Sequence, residues 1–373
     1  MCTTAIAIFK AIMISLFTVT QSVAKHDVIT SATPKIKKEA MFYKKLSSSK
    51  VQCLICFRQC IIPSGARGAC FNKENVDGTL YNIVYSYPSA VQIDPIEKEP
   101  MYHFLPSTNI LCIGTAGCNF KCKHCHNWHL SQKQFEEITH YFLTPEEAVK
   151  LAKKYNIPSI SFTYNDPIAF YEYMYDIARI AKKEKIKIIW HTNASINSLP
   201  LKEMLKFTDG ITVDLKGFTE EFYKNQSLAK LQPVLNSLKI IKEHKNVWLE
   251  IVNLVIPTLN DNLEDIRNMC LWIKENLSDE VPLHFTRFYP TYKTTHLPAT
   301  PISTLESCYK IAKDVGLKYV YIGNVPGHKY NSTYCPNCNK ILIHRIHFEV
   351  LENNIEDGKC KFCCYKIAGV WRK

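Results

Sequence analysis

The hydrophobic pattern changes at about residue 108 of this 373-residue chain. Beyond that point, short β-branched runs alternate with longer segments whose apolar positions recur every three or four residues, as in an amphipathic helix. The short runs predict strands at 110–114, 159–164, 186–190, 210–213, 247–252, 282–288 and 318–322. The longer segments predict helices at 145–154, 168–183, 200–207, 233–244, 263–276 and 303–315. Repeated strand–helix units predict an α/β fold with a parallel sheet, either open or curled into a barrel.

Polar side chains occur at the carboxyl end of nearly every predicted strand. A barrel gathers all strand ends on one face, whereas an open doubly wound sheet gathers only those at its switch point. The sequence also lacks a glycine-rich dinucleotide fingerprint, so the distribution favours a barrel. The polar residues at the strand ends are Cys118, Asn165, Asp166, His191, Asn193, Asp214, Lys216, Asn253, His284, Arg287 and Asn324.

The 16 cysteines are the strongest signal in the composition. Most of them fall into three tight clusters, whereas a disulfide-bonded secreted protein of this size would spread its cysteines more evenly. Short gaps between cysteines are typical of metal sites, which need reduced thiolates. The cysteine pattern therefore favours a reducing compartment.

The central cluster is Cys118-x3-Cys122-x2-Cys125, directly after the first predicted barrel strand. A [4Fe–4S] cluster usually takes four thiolates, so three thiolates in one loop leave one iron open to a small-molecule ligand. The alternative is a zinc loop that borrows a fourth ligand. Candidates for that ligand are His124, His126 and Cys112.

This motif and its position resemble the signature of the radical S-adenosylmethionine superfamily. Cys125-His126-Asn127 resembles the corresponding triplet of glycyl-radical-enzyme activases such as the pyruvate formate-lyase activating enzyme. Longer strings resemble, more specifically, the radical enzyme of the AmmeMemoRadiSam system, from about residue 38 to the carboxyl terminus. They are DPIEKEPMYHF at 94–104, GCNF at 117–120, NW at 127–128, VDLKG at 213–217, PLHF at 282–285 and GNV at 323–325.

The resemblance implies a partial (β/α) barrel with a [4Fe–4S] cluster on Cys118, Cys122 and Cys125. It also implies that the open iron holds the amino and carboxylate groups of S-adenosylmethionine. One electron from the reduced cluster would then break a sulfur–carbon bond, and the 5′-deoxyadenosyl radical would take a hydrogen atom from a substrate. The implied partners are S-adenosylmethionine, a reductant protein such as flavodoxin or ferredoxin, and other AmmeMemoRadiSam proteins.

Five cofactor-binding positions follow from the same resemblance. Asn165 and Asp166 occupy a loop that holds the methionine amino group in the family, although the usual acid there is Glu. Asn193, Asp214 and Lys216 correspond to positions that face the ribose and the carboxylate. The ordinary alternative for each is a hydrogen-bonded polar residue at a strand end.

Two later residues are also expected near the cofactor. His284 matches a histidine close to the adenosyl group, and Arg287 is an additional candidate three residues further on. One departure concerns His124, because an aromatic residue that packs near adenine usually precedes the third cysteine. His124 is able to stack in the same place or to alter the potential of the cluster.

Two four-cysteine modules flank the barrel, which is expected at 108–328. The first, at 38–107, contains Cys53, Cys56, Cys60 and Cys70, a closed ligand set for which a structural metal, zinc by default, is expected. An auxiliary iron–sulfur cluster within electron-transfer reach of the main cluster is the alternative. The second module, at 329–373, has zinc-ribbon spacing, although Cys364 leaves the fourth ligand ambiguous. Its expected zinc ligands are Cys335, Cys338, Cys360 and Cys363.

Residues 1–37 are expected to be a signal-like or dispensable extension followed by a linker. The apolar stretch within 1–24 has a small-residue site that resembles a cleavage site, but it is too short for a confident membrane span. We therefore expect a cytoplasmic protein, with export as the alternative. The net charge of +12 is scattered along the chain, so we do not expect nucleic acid as a partner.

Three functions remain to be compared. The first is a radical enzyme that acts on a small molecule or a peptide side chain, and the second is an activase that takes hydrogen from a glycine of a partner protein. The third is a zinc-binding protein that contacts nucleic acid or another protein. Iron and sulfide in quantity would support the enzymes, whereas zinc alone would support the binding protein.

Overall fold

The computed structural model describes residues 21–22 and 36–372, so most of the signal-like stretch lies outside the described residues. In the described part, nine strands form one sheet, and seven of them are parallel and adjacent in chain order. The parallel strands are β1 (Asn109–Gly114), β2 (Ser159–Phe162), β3 (Lys187–Thr192), β4 (Gly210–Asp214), β5 (Trp248–Val255), β6 (Leu283–Arg287) and β7 (Val320–Gly323).

The order of these strands explains the curvature of the sheet. Each parallel strand lies beside the previous one in the same direction, so right-handed crossovers place all the connecting helices on one face. The opposite face has no helical layer to cover it, and the sheet curls to bury that face against itself. The main helices are α1 (Pro145–Lys154), α2 (Tyr171–Lys183), α3 (Ser198–Leu205), α4 (Leu231–Glu243), α5 (Leu263–Asn276) and α6 (Ile302–Val315).

The barrel is partial. Strand Ala90–Pro95 pairs antiparallel with β1 at one edge of the sheet, and Gln21–Ser22 pairs with that strand in turn. At the other edge, β7 pairs with β6 alone among the described strands. The predicted fold class, a partial (β/α) barrel with small four-cysteine modules, is confirmed.

Local sequence explains why individual elements begin where they do. Thr144 caps α1, because its hydroxyl accepts a hydrogen bond from the Glu147 amide over 3.3 Å and the Glu147 carboxylate accepts one from the Thr144 amide over 2.8 Å. Pro145 occupies the first helical position, where its missing N–H costs nothing. α1 and α5 have the predicted bounds.

β3 extends two residues beyond the predicted end at Trp190. The apolar run stops there, but His191 and Thr192 continue the ladder by pairing with Thr212 and Val213 of β4. Hydrophobicity alone therefore ends the strand too early, because its last residues face a polar interior.

The residues before the barrel form two small three-stranded antiparallel sheets. Buried Lys73 forms an ion pair with Glu172 of α2, whose carboxylate also accepts hydrogen bonds from Asn82 Nδ2 over 2.9 Å and from the Met41 amide over 3.1 Å. This buried carboxylate joins the module to the barrel. The strands of the two sheets are Lys38–Glu39, Thr79–Asn82 and Lys73–Val76, and Tyr43–Lys45, Val51–Cys53 and Ile61–Ile62.

The tail also consists of short antiparallel strands. Its buried Arg345 donates from Nη2 to the Tyr102 carbonyl over 2.8 Å and lies 4.2 Å from the centre of the Tyr102 ring. The tail is thereby attached to the segment that precedes β1. Its strands are Thr333–Tyr334, Ile341–Ile346, Glu349–Asn353, Ile355–Glu356 and Lys359–Cys360.

Short helical turns complete the described elements, and none of the described helices is long and apolar enough to cross a membrane. The turns are Ile96–Lys98, Trp128–Ser131, Phe135–Glu137, Pro167–Phe170, Glu220–Phe222, Tyr223–Ser227 and Lys329–Asn331.

The ion pair between Lys73 and Glu172 yields a stability prediction. Lys73→Met leaves the Glu172 charge buried without its partner, so we expect the free energy of unfolding to fall by about 3–5 kcal/mol. Lys153→Met, at an exposed ion pair with Glu184, is the control and should cost less than about 1 kcal/mol. Urea denaturation of the two variants measures the difference. Equal losses would contradict the proposed attachment.

Candidate active site

A cavity of about 380 Å³ opens at the carboxyl ends of the barrel strands. Its volume suits a small-molecule ligand. All seven parallel strands contribute residues at or just beyond their ends, so the structure brings the polar strand ends together. The lining from these ends includes Cys118, Asn165, Asp166, His191, Asn193, Asp214, Lys216, Leu254, His284, Thr286 and Asn324.

The three cysteines of the central motif all line this cavity. Cys118 and Cys122 are buried, and burial raises the pKa of the Cys122 thiol to about 11. The Phe120 amide donates to Cys118 Sγ over 3.4 Å, and Cys125 Sγ lies 3.1 Å from Ser131 Oγ. Hydrogen bonds to ligating sulfurs are among the features that tune an iron–sulfur cluster.

The thiols of the central loop and those of the tail differ in how they are grouped. In the described part of the chain, only four cysteines of the tail have ligand atoms that all lie within 4.8 Å of one another. A single zinc ion requires ligand atoms that close, whereas the thiolates of a [4Fe–4S] cluster bind separate irons. Cys112, one candidate fourth ligand, instead donates to Glu99 Oε1 over 3.0 Å.

Asn165 supports the backbone that leads into the cysteine loop. Its Nδ2 donates to the Gly117 carbonyl over 2.6 Å, and its Oδ1 accepts from the Thr115 amide over 3.0 Å. Since these bonds engage both ends of the buried amide, the side chain holds residues 115–117 in place. Its position at the cavity is the predicted one, and its contacts are with the protein.

The Asp166 carboxylate is also occupied by protein donors. It accepts hydrogen bonds from the Asn193 amide over 2.6 Å, the Ile168 amide over 3.0 Å and the Thr192 hydroxyl over 3.1 Å. Burial raises its pKa to about 6 in spite of these donors. Asp166 therefore positions the end of β3. Its carboxylate is bonded to protein groups, and Asn193 lies beside it in the cavity lining.

A charged group formed by Asp214, Lys216 and His191 lies at the ends of β3 and β4. Lys216 Nζ lies 2.8 Å from Asp214 Oδ2, and His191 Nε2 lies 3.2 Å from Asp214 Oδ1. Burial alone would raise the pKa of Asp214, but Lys216 and His191 hold it far below its usual range. The carboxylate is therefore ionised and offers a fixed negative charge to the cavity.

His284 lies on the barrel wall and is buried. Its Nε2 lies 2.7 Å from Glu250 Oε2, and its ring stacks on that of Tyr321 with centroids 4.9 Å apart. Burial would raise the pKa of Glu250, but the hydrogen bond from His284 lowers it, so His284 donates from Nε2 to a carboxylate. Arg287 turns away: it donates to the Thr300 carbonyl over 2.8 Å, and Thr286 lines the cavity instead.

His124 takes the place of the aromatic residue that was expected before the third cysteine. Burial, followed by the charge of Lys216, lowers the pKa of His124 to about 3. The ring is therefore neutral, and it lies at a tilt to Phe222 with centroids 5.9 Å apart. A neutral, buried ring at the cavity retains the capacity to stack.

Some cavity residues were not expected from sequence reasoning. Tyr102 comes from the segment before β1, and His347 and Phe348 come from the hairpin turn of the tail. The 94–104 string, which contains Tyr102, carried a family resemblance but no assigned role. The tail was predicted as a separate module, so only its folding against the barrel shows that it lines the cavity.

The tail contains a separate candidate metal site. Cys335 Sγ lies 3.6 Å from Cys363 Sγ, and Cys338 Sγ lies 3.7 Å from Cys360 Sγ. A tetrahedral zinc site with Zn–S bonds of about 2.3 Å separates its thiolates by about 3.8 Å. Cys364 is exposed and is not part of this set, so the neighbouring Cys363 is the fourth ligand candidate.

Comparison with protein families agrees with the fold and the cysteine loop. Residues 112–273 match the model of the Radical SAM superfamily, a range that begins within β1, contains the Cys118 loop and extends through β5 into α5. The chain belongs to this superfamily and is an enzyme of the radical S-adenosylmethionine type. Membership implies a [4Fe–4S] cluster and S-adenosylmethionine.

Individual relatives extend this comparison. An uncharacterized protein of Methanocaldococcus jannaschii is 45% identical over 332 residues, which cover 88% of this chain and 98% of that protein. The pyruvate formate-lyase-activating enzyme of Clostridium pasteurianum is 26% identical over 167 residues, 42% of this chain and 66% of that enzyme. The crystal structure of a radical SAM methyltransferase from Sphaerobacter thermophilus aligns with a TM-score of 0.48 and 11% identity, over 78% of each chain.

Asn165→Asp tests the support of the cysteine loop. The change is nearly isosteric but places a carboxylate oxygen against the Gly117 carbonyl, so we expect the free energy of unfolding to fall by about 1–3 kcal/mol. We also expect less iron to be retained after reconstitution. Asn324→Asp, where the amide makes an exposed bond to the Arg287 carbonyl, is the matched control. Similar iron content in both variants would show that Asn165 does not organise the loop.

Proposed function

We propose that this enzyme binds a [4Fe–4S] cluster on Cys118, Cys122 and Cys125 and cleaves S-adenosylmethionine to abstract hydrogen from a substrate. When bound, the cluster supplies the electron that separates S-adenosylmethionine into methionine and a 5′-deoxyadenosyl radical. The observation that carries the proposal is the position of the three thiols. All three line the cavity that every parallel strand lines, and they do not belong to the closely spaced thiol group of the tail.

The charges at the ends of β3 and β4 suit the binding of S-adenosylmethionine. The ionised Asp214 is able to accept hydrogen bonds from ribose hydroxyls or to attract the sulfonium and amino groups. Lys216 beside it suits the methionine carboxylate. Burial alone would lower the pKa of Lys216, but Asp214 raises it above its usual value, so the cation persists in the closed site.

Other residues act by positioning. Asn193 donates from Nδ2 to Asn119 Oδ1 over 2.8 Å, which ties the end of β3 to the residue after Cys118. Asp166 holds the Asn193 amide, as described above. In this proposal Asn193 and Asp166 orient the cysteine loop relative to the nucleoside of S-adenosylmethionine. His284, which Glu250 holds in place, lies beside the adenosyl group.

The walls that do not come from strand ends suit substrate selection. His347 and Phe348 of the tail line the cavity together with the cysteine loop. The family strings at 94–104 and 213–217 favour assignment to the AmmeMemoRadiSam system, with a small molecule or a peptide side chain as substrate. In this proposal, 38–107, 108–328 and 329–373 act as one enzyme whose tail helps to shape the site.

A second candidate is an activase that takes a hydrogen atom from a glycine of a partner protein. The observations in its favour are Cys125-His126-Asn127 and the similarity to an enzyme named as a pyruvate formate-lyase-activating enzyme. Next to Asn127 of the cavity lining, the exposed Trp128 stacks on Tyr292 with ring centroids 5.2 Å apart. An exposed aromatic pair of this kind suits contact with a partner protein.

The radical chemistry is tested by formation of 5′-deoxyadenosine. Protein purified without oxygen, loaded with iron and sulfide and reduced with dithionite should convert S-adenosylmethionine to 5′-deoxyadenosine, measured by chromatography. The combined Cys118→Ala, Cys122→Ala and Cys125→Ala variant should form none, because the open iron is lost. Cys308→Ala on α6 is the control for loss of a buried thiol. Product from the triple variant, or zinc in place of iron in the wild type, would refute the proposal.

The tail is tested by its zinc content. We expect one zinc ion per chain that Cys363→Ala releases, because a three-thiolate set binds zinc more weakly than a closed tetrahedron. Cys364→Ala removes the adjacent exposed thiol and should leave zinc unchanged. Atomic emission on both variants gives the comparison, and equal zinc in the two would contradict the ligand assignment.

A further inference from the structure

The four cysteines of the amino-terminal module form one group of thiols with an unusual spacing. Backbone hydrogen bonds hold Cys53, Cys56 and Cys60 in one turn, and Cys60 Sγ lies against Gly68, two residues before Cys70, so all four belong to a single site. Within the described residues, however, no three of these sulfurs lie within 4.8 Å of one another, whereas the tail cysteines do. In the same molecule, then, one four-cysteine site has zinc spacing and the other is wider. The members of the wider group are Cys53, Cys56, Cys60 and Cys70.

This wide spacing is shared with the loop that we assign to the catalytic cluster. Thiolates that bind four separate irons stand further apart than thiolates on one tetrahedral ion. The turn between the second and third cysteines is tight: the Gln59 amide donates to the Cys56 carbonyl over 3.1 Å, and the Cys53 amide donates to the Cys60 carbonyl over 3.0 Å. These two bonds fix the backbone that carries Cys53, Cys56 and Cys60.

The wide site lies directly against the cysteine loop of the barrel. A side chain at Gly117 would collide with the carbonyl oxygen of Cys70, so the residue before Cys118 packs directly against the backbone of a cysteine of the wide site. Asn72 Nδ2 donates to the Ala116 carbonyl over 2.7 Å. A tunnelling electron would cross only a few residues between the two sites.

A second contact region lies on the other side of the loop. Arg58, between Cys56 and Cys60, donates from Nε to the Asn119 carbonyl over 2.6 Å. Phe57 packs edge-on against Phe120 with ring centroids 5.8 Å apart. Residues between the ligands of one site thus touch residues between the ligands of the other.

Lys121 provides a charge that both sites share. Lys121 stands between Cys118 and Cys122 in the chain, and its ammonium group lies 3.7 Å from the centre of the ring of Phe71, the residue after Cys70. Its Nζ is buried and has no hydrogen-bond partner in the described structure. A cation placed between two thiolate groups stabilises negative charge on both.

We propose that Cys53, Cys56, Cys60 and Cys70 bind a second iron–sulfur cluster that relays single electrons to the cluster at Cys118, Cys122 and Cys125. A reduced flavodoxin or ferredoxin gives one electron to the second cluster and is itself oxidised by one electron. The second cluster passes that electron to the catalytic cluster and returns to its oxidised state. This relay rests on the proposed function above.

The exposure of the two sites supports this direction of transfer. In the central set Cys118 and Cys122 are buried and Cys125 is half-buried, whereas in the amino-terminal set only Cys53 is buried and the half-buried Cys56 and Cys60 flank the exposed Gln59. A donor protein that docks on the amino-terminal module reaches the second site first. Zinc in this site would hold the fold together but would carry no electron, because zinc has no redox chemistry.

Metal content is the first test. After anaerobic reconstitution, the Cys118→Ala, Cys122→Ala, Cys125→Ala variant should keep about half of the wild-type iron and sulfide and show an iron–sulfur EPR signal when reduced. Adding Cys56→Ala and Cys60→Ala should abolish that signal, whereas adding Cys364→Ala should not. A triple variant with no iron and a second equivalent of zinc would overturn the proposal.

A second test changes a charge near the amino-terminal cysteines and leaves all four of them in place. In the triple-variant background, Lys121→Gln should shift the midpoint potential of the remaining cluster to a more negative value, because removal of a positive charge disfavours reduction. Lys123→Gln, two residues along the loop, is the matched control. The absence of a redox wave, or equal potentials in the two variants, would contradict the assignment.

Turnover then separates the relay from the radical chemistry. In a Cys56→Ala, Cys60→Ala variant, dithionite should still drive 5′-deoxyadenosine formation, whereas reduced flavodoxin should no longer do so. Equal activity with both reductants would overturn the relay alone. If the wild type forms no 5′-deoxyadenosine with dithionite and none with flavodoxin, the proposed function on which the relay rests is refuted instead.

Discussion

The close packing around Gly117 is the constraint on which the arrangement of this enzyme depends. Gly117 has a φ of +76°, and its missing side chain lets Cys70 of the amino-terminal module approach the cysteine loop. Two buried side-chain amides donate hydrogen bonds to the same stretch of backbone: Asn72 to the Ala116 carbonyl, and Asn165 to the Gly117 carbonyl. One short segment therefore fixes the module, the start of the cysteine loop and the end of β2 together.

A buried carboxylate has the corresponding role on the other side of the barrel. Glu250 accepts hydrogen bonds from the Tyr102 amide over 3.0 Å and from the His103 amide over 2.7 Å, and it pairs with His284. The tail reaches the same region through Arg345 on Tyr102. Because buried charge is costly unless it is paired, this network holds the segment before β1, the cavity wall and the tail in one arrangement.

The fold and the location of the site were largely predictable, since alternating strands and helices follow from hydrophobic period and strand ends converge in a barrel. The roles of particular side chains were less predictable. Asn165 and Asp166 lie beside the cavity as expected, but their polar atoms are engaged with backbone groups. Arg287 follows β6 as expected, but it bonds to Thr300. Position along a strand predicts nearness to the site, and hydrogen-bond partners come from distant parts of the chain.

The sequence by itself determined the succession of strands and helices along the chain, the cysteine motif after β1 and the presence of three thiol clusters. These features depend on the hydrophobic period and on the spacing between cysteines, both of which are local properties of the sequence. Only the tertiary structure decided the spacing of each thiol set, the contact of Cys70 with Gly117 and the entry of His347 into the cavity. Those features depend on contacts between residues far apart in sequence, and the packing of the modules against the barrel sets the distances.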